Sequence, residues 1–415
     1  MKEIRIGIFG MGRGKDNIRP IQVNGGVIVA ICDRRQERLD EARALIGGDV
    51  ACYTDFDEFI RHPMDAVYLC NYFNEHVPYA IKALERNIHV ISECIPNSTM
   101  AEGVALVRAA EKSRAMYFLA ENYPYMPMNL EMKRVYEGGT LGKVEFAEGE
   151  YNHPVARTDY DFLRRYYDGP RHWRACNPAT YYLTHSLGPL LCATKARPVR
   201  VTALPIYKPE RAHQESAISR CGDREAIMLT LNDDGSVFRI TGCARFGAHE
   251  NSYRLACGKG QIENRRGTDG EILLRYSSWE VPEGMQEENC YFPHQSPEDE
   301  ALAAAAGHGG GDYYMFKDFF TCIREGKRPF LDEYTATTMA SVGILGHRSV
   351  LEMGTPYDIP DFRREEDRKK YENDTLSPYF GPHGEAPTLP SCSHPEYEPY
   401  PEDVVAFEEL LKGKD

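Results

Sequence analysis

Nowhere in this sequence do two cysteines stand at C-x-x-C spacing, and no His/Cys cluster has zinc-finger spacing, although the chain carries 12 cysteines. Scattered singly, several of them inside strand-like runs such as Ile31-Cys32 and Leu69-Cys70, they read as buried thiols of a reducing compartment. No stretch approaches the ~20 apolar residues of a membrane span. The first strand pattern begins almost at Met1, leaving no charged n-region, apolar h-region and cleavage site, so a cytoplasmic location is expected. Basic residues are in deficit as well: 49 Lys and Arg against 63 Asp and Glu give a formal net charge of −14. Such a surface repels phosphate backbones and anionic lipid, which argues against nucleic-acid and membrane partners and for a small molecule. There is no internal repeat. What is present is globular in character, with 42% hydrophobic, 27% charged and 11% aromatic residues. A length of 415 residues exceeds the ~250–300 at which one core stops growing, so at least two domains are expected.

Residues 4–120 alternate short apolar runs with helical patterns. Ile4–Phe9, Val27–Cys32, Ala66–Cys70, His89–Ile91 and Met116–Leu119 read as strands, with helices Gln36–Leu45, Val77–Arg86 and Ala101–Ser113 between them. That rhythm specifies an α/β Rossmann domain with a parallel sheet, placed at 1–123. From about Leu141 strand patterns follow one another (Val144–His153, Val199–Ile206, Glu225–Leu231, Val237–Phe246, Tyr253–Cys257, Gln261–Arg265). They predict an α+β domain with an open, mostly antiparallel sheet, at 124–361. Two helices close it, Asp312–Glu325, with Asp at the N-cap and Gly326 at the end, and Thr335–Met353, which can pack back on the first domain. Residues 362–415, charged and then proline-rich, read as an extended C-terminal arm, helical only at Val404–Leu411.

The first strand runs into Gly10-Met11-Gly12-Arg13-Gly14. Glycines there permit a tight turn and let backbone N–H groups approach a pyrophosphate. Asp33, at the end of the second strand, stands where an acidic residue binds ribose hydroxyls and repels a 2′-phosphate. The following Arg34 and Arg35 are of the type that accommodates that phosphate; the Asp33 argument favours NAD. The third glycine falls at 14 and not at the strict position 15, which is Lys15.

Asn71 after the fourth strand, His76 opening the next helix, and Glu93-Cys94-Ile95-Pro96 after the fifth resemble the layout of the Gfo/Idh/MocA oxidoreductases. Those enzymes usually carry E-K-P at the last site, with a lysine that assists proton removal from the substrate hydroxyl. Further segments are similar to the NAD-dependent glycosidases of glycoside hydrolase family 109, the alpha-N-acetylgalactosaminidase-like branch, which also lack the lysine. These segments are Glu121-Asn122, Glu148-Gly149-Glu150-Tyr151-Asn152-His153, Tyr182-Leu183-Thr184-His185-Ser186-Leu187-Gly188-Pro189 and Gly307-His308-Gly309-Gly310-Gly311-Asp312. The branch has Y-P-T-H-G-L-G-P and G-H-G-G-M-D at the last two, so Leu183, Ser186 and Gly311 depart from it. The resemblance spans most of 1–362 and leaves out the arm.

What it implies is a redox-neutral cycle. Transient oxidation at sugar C3 acidifies the C2 proton, the C1 group is eliminated, water adds and hydride returns, on glycosides such as N-acetylgalactosaminides. The alternatives are a sugar or inositol dehydrogenase with net hydride transfer, a lyase or hydratase acting on 3-keto-glycosides, and a silent NAD-binding regulator. His185 is the first candidate base for the C3 hydroxyl, since imidazole titrates near neutral pH; the alternative is a structural histidine. Tyr182, three residues earlier, faces the same cleft if the segment is helical, or is packed aromatic surface. Tyr151 and His153 alternate on a strand and share a face. Tyr151 is a candidate base or acid near C2/C1, the former only with a depressed pKa, and the resemblance places His153 at the C2 substituent and Tyr253 in the site. Glu93 and Glu121 follow neighbouring parallel strands at their carboxyl ends, where ligands bind: Glu93 is expected on the nicotinamide side and Glu121 at substrate or cofactor. His308 lies in a glycine-rich loop that is either a wall of the site or only a turn. The segment Tyr166–Arg174, with Trp173 and Arg174, is rich in groups that stack on or hydrogen-bond sugars, or is an aromatic loop at a domain junction. Several histidines with Glu121 could converge on a metal, but no spacing supports one and none is expected. Homo-oligomers, dimers or tetramers formed through the open sheet face, are what the resemblance implies.

Overall fold

The computed structural model of the protein describes residues 3–154, 167, 169, 171–209 and 219–412. Tyr166, Asp168 and Pro170 of the aromatic segment lie outside the described residues. The first sheet comprises β1 (Ile4–Phe9), β2 (Gly26–Cys32), β3 (Ala51–Tyr53), β4 (Ala66–Leu69), β5 (His89–Ser92) and β6 (Tyr117–Leu119). They pair in parallel in the order β3-β2-β1-β4-β5-β6. Every residue of β4 and β6 is buried, as a sheet covered on both faces requires. The order reverses between β1 and β4, so the crevice at the carboxyl ends of these two strands is the ligand position of such a sheet. β3 went unread in the sequence: three residues, Ala-Cys-Tyr, carry no period.

The second sheet holds β7 (Val144–Asn152), β8 (Pro198–Tyr207), β9 (Asp223–Asn232), β10 (Val237–Ile240), β11 (Glu250–Cys257), β12 (Gly260–Asn264), β13 (Ile272–Tyr276), β14 (Glu288–Tyr291) and β15 (Tyr357–Asp358). Their order is β14-β13-β12-β11-β7-β10-β9-β8-β15. All pairs are antiparallel except β7 with β10. The strand expected over Val237–Phe246 stops at Ile240, because the chain there turns in to meet β7, where His153 N–H donates to the Ala244 carbonyl at 2.8 Å. One face of this sheet is covered by the helix Thr184–Thr194, buried along nearly its whole length. The other face leaves Leu204, Leu229, Leu231 and Val237 exposed.

The helix after the glycine-rich loop runs Gly311–Glu325 and is capped by Gly310, not by Asp312 as the sequence suggested. Asp312 sits one residue inside the helix with its carboxylate drawn away to Arg13, Asn122 and His308. Gly326 ends the helix in the left-handed conformation. Phe316, Phe319 and Phe320 of this helix pack in one cluster with Ile6, Ile8 and Ile31 of the first sheet, so the late helix covers the nucleotide fold. The helix Glu333–Leu351 begins at Asp332, whose side chain accepts from Tyr334 and Thr335 N–H. The arm stays on the body: Tyr379 Oη donates to Asn177 at 2.6 Å, and the buried His347 Nε2 donates to the Pro390 carbonyl at 2.7 Å. Its last helix is Pro401–Lys412. No described helix is long and apolar enough to cross a membrane.

Candidate active site

The glycine-rich turn leaves β1 with Gly10 at φ 95°, where an added Cβ would stand 2.4 Å from the Cys70 carbonyl oxygen. Only glycine lets β1 and β4 part at that distance. The turn enters a broken helix, Met11–Gly14, then a 3₁₀ turn Lys15–Asn17 and the helix Ile18–Val23. Asp33 is buried and braces the turn: one oxygen accepts from Met11 N–H at 2.7 Å and the other from Arg35 N–H at 3.0 Å. Arg34 extends away and lies over the Tyr72 ring, 4.7 Å from its centroid. Asn71 donates to the Glu75 carbonyl while its Oδ1 is buried without a protein partner. Beside it His76 is anchored through Nδ1 to the Ile95 carbonyl at 2.8 Å; burial holds its pKa below the ordinary value.

Arg13 crosses from this turn to the far side of the crevice. Its guanidinium meets Glu93 at 3.1 Å and Asp312 at 3.1 Å. Glu93 also accepts from Tyr68 Oη at 2.6 Å. Burial opposes charge on Asp312, but hydrogen bonds from His308 and Asn122 and the charge of Arg13 outweigh it, and its pKa lies well below the usual range. The glycine-rich loop, the segment after β5 and the late helix are thus tied by one arginine.

At the head of the crevice, Glu121 and His185 meet. His185 Nδ1 donates to both Glu121 oxygens, at 2.8 and 3.0 Å. The Cys94 thiol donates to the same carboxylate at 3.1 Å, and Thr184 Oγ1 donates to Cys94 Sγ at 3.2 Å. Burial works against the Glu121 anion, yet the imidazole and these hydrogen bonds prevail and hold its pKa below the ordinary value. With Nδ1 committed, proton exchange falls to Nε2. The close approach needs Gly188, where a Cβ would sit 2.9 Å from Glu121 Cγ. Pro189, four residues after His185, has no N–H for the His185 carbonyl; Tyr253 Oη donates to that carbonyl at 2.7 Å instead.

Aromatic rings frame the imidazole. Tyr123 stacks on it at 4.0 Å, and Tyr151 and Tyr182 meet it edge-on at 4.9 and 5.0 Å. Burial, then the neighbouring Cys243 and Tyr123, push the Tyr151 phenol far up. A phenol so placed is held in its protonated form. Burial raises Tyr182 likewise. His153 stacks on Tyr151, and its Nδ1 lies 2.9 Å from that of His249.

The structure therefore gathers His185, Glu121, Tyr151, Tyr182 and His153 in one place, with Glu93, Arg13 and His308 at its edge. Tyr253 is fully buried and its hydroxyl donates to the His185 carbonyl, so it positions His185. Trp173 stacks on Phe73 at 4.5 Å and carries the Arg174 guanidinium at 4.4 Å. Cys94, Tyr123, Asn122, Asp312 and His249 were not singled out as site residues in the sequence. Tyr123 and Asn122 adjoin Glu121, which is the one signal that pointed to them. Cys94, Glu121 and His185 also place three donor atoms within 4.8 Å of one another, so the folded chain makes a convergent set that no spacing announced.

Residues 4–121 match the oxidoreductase family with NAD-binding Rossmann fold, and 275–369 match the C-terminal domain of glycosyl hydrolase 109. Among solved structures, levoglucosan dehydrogenase in complex with NADH and levoglucosan aligns with a TM-score of 0.71 at 18% identity, covering 86% of this chain and 100% of the other. An oxidoreductase from Agrobacterium radiobacter in complex with NAD+, L-tartaric acid and magnesium aligns with a TM-score of 0.67 at 13% identity, covering 86% and 98%. The fold and the nucleotide crevice agree with the match of residues 4–121 to the oxidoreductase family with an NAD-binding Rossmann fold. Along most of its length the chain is similar to proteins of glycosyl hydrolase family 109. A family 109 protein of Saccharopolyspora erythraea is 27% identical over 395 residues, covering 87% of this chain and 83% of the relative, and one of Bacteroides fragilis is 24% identical over 402 residues, covering 87% and 85%.

Proposed function

We propose that the protein is an NAD-dependent glycosidase that works through a transient 3-keto sugar. The observation that carries this reading is the buried Glu121–His185 pair: a carboxylate fixes the imidazole through Nδ1 and leaves Nε2 as the base for the sugar hydroxyl. The crevice fits a dinucleotide: Gly10 excludes a side chain from the turn, and Asn71 presents a buried, unpartnered oxygen. Asp33 would hold the ribose hydroxyls, with Arg34 drawn off to Tyr72. NAD held there would supply the acceptor, and later the donor, of the hydride at sugar C3.

His185 Nε2 receives the C3 hydroxyl proton, and Glu121 stabilises the imidazolium so formed. Tyr151 donates its proton to the departing C1 oxygen, and the phenolate so formed takes a proton from the water that adds there. His153, on the outer side of Tyr151 and paired with His249, faces the C2 substituent and serves as the base for the C2 proton. No carboxylate pair flanking C1 is required. Exposed Leu204, Leu229, Leu231 and Val237 on one sheet face support association of two copies of the chain there, which light scattering tests.

The test is a panel of chromogenic α- and β-glycosides, N-acetylgalactosaminides included, with and without added NAD+, following aglycone and NADH together. Aglycone without stoichiometric NADH is expected. NADH that grows with product while no aglycone appears would replace the glycosidase by a sugar dehydrogenase.

A further inference from the structure

A second buried set of donors lies where the C-terminal arm crosses the second sheet. Cys221 and Asp223, at the start of β9, and Cys392 of the arm bring two sulfurs and a carboxylate oxygen within 4.8 Å of one another, and all three residues are buried. The side chains share protons among themselves: the two thiols are hydrogen-bonded to each other, and Cys392 to Asp223 as well. Cys392 Sγ also accepts from the backbone N–H of Gly222 at 3.2 Å and from that of His394. Backbone donors aimed at a sulfur favour a thiolate, the form that binds metal. Asp223 is set in place by Ser393, whose N–H and Oγ donate at 2.8 and 2.6 Å.

We propose that Cys221, Asp223 and Cys392 form a zinc site that fastens the C-terminal arm to the second sheet. Two thiolates and one carboxylate oxygen are three ligands of a tetrahedral, thiophilic dication, and bond lengths of ~2.3 Å to sulfur and ~2.0–2.2 Å to oxygen fit donors this close together. On loading, the ion displaces one proton from each thiol, bonds to both sulfurs and to Asp223, and takes water as fourth ligand; no electron is transferred. The site lies beyond both family matches on its arm side, since those end at residue 369. It is independent of the glycosidase reading. The ion holds the stretch of arm whose Tyr379 and Phe380 reach Asn177 and Arg171, in the segment that carries Trp173 beside the crevice.

The experiment is elemental analysis of the full chain purified without chelator and dialysed against zinc and then buffer. About one zinc per chain is expected, falling to below about a tenth in Cys221→Ser and in Cys392→Ala and retained in Cys94→Ala and Cys290→Ser. Should either arm-site variant fail to fold, cobalt(II) titration of the chelator-stripped parent decides, with sulfur-to-cobalt charge transfer and tetrahedral d–d bands expected. A parent that binds no zinc and shows no charge-transfer band overturns the proposal. So does a metal-free chain lighter by two hydrogens, which puts a Cys221–Cys392 disulfide in its place. Zinc lost from Cys94→Ala but kept in both arm-site variants also overturns it, moving the ion to Glu121 and His185.

Discussion

Glu121→Gln isolates the charge behind the proposed base. Glutamine keeps the size and one acceptor oxygen for His185 Nδ1–H, so the imidazole stays in place at 2.8 Å, but the anion is gone. In the resting state little changes. When Nε2 takes a proton, the imidazolium no longer faces a carboxylate. A charge-assisted hydrogen bond contributes about 2 kcal/mol, and opposite charges about 4 Å apart at an effective dielectric of about 20 attract by about 4 kcal/mol. At ~1.36 kcal/mol per decade, kcat for aglycone release should fall between ~30-fold and ~1000-fold. The Kd of NAD+, read by intrinsic fluorescence, should stay within about threefold, because Glu121 touches His185, Cys94 and Tyr123 and not the glycine-rich turn. A variant that folds normally yet keeps kcat within about threefold of the parent refutes the reasoning: His185 would then not become cationic on the reaction path.

Tyr253→Phe removes the donor that the described residues give the His185 carbonyl, which Pro189 cannot serve; leaving it unsatisfied should cost about 1–3 kcal/mol in urea unfolding, and an unchanged midpoint would show that water replaces the hydroxyl. His347 is buried and burial lowers its pKa to about 4, whereas the unfolded chain titrates near ~6.5. The unfolded state therefore binds more protons between these values, so stability is complete above pH ~6.5 and falls by about 3 kcal/mol as the pH drops toward about 4. His347→Gln should flatten that slope in urea titrations at a series of pH values. Glu225 has the opposite sign: burial raises its pKa to about 8 while Ala226 and Gly242 N–H donate to one oxygen. Its contribution is present below the unfolded pKa near ~4.3 and is lost as pH rises through about 8, so Glu225→Gln should gain about 5 kcal/mol over the parent between pH 4 and pH 9. Parallel pH curves for the two proteins would show that Glu225 is ionised in the folded chain.

The sequence by itself determined the two folding layers and the place of the nucleotide. Period and punctuation are local: apolar runs of four to seven residues at β1, β2, β4 and β5, helices between them, and glycines at the first turn are enough to specify a parallel sheet and its crevice. The resemblance in Glu121-Asn122 and Tyr182–Pro189 likewise put Glu121, Tyr182 and His185 on the page before any fold was drawn. Tertiary structure alone decided what these side chains do. Glu121 and His185 are 64 residues apart in the chain, and only packing of the helix Thr184–Thr194 against the end of β6 makes them a pair. The same holds for Arg13 and Asp312, 299 residues apart, which is why Asp312 read as a helix cap. The resemblance put Tyr253 in the site, and only the folded chain shows the partner of its hydroxyl, a carbonyl released by a proline in another element. Cys221 and Cys392 gave no signal because metal-ligand spacing is a short-range pattern, whereas these two thiols meet only when the arm lies down on the sheet.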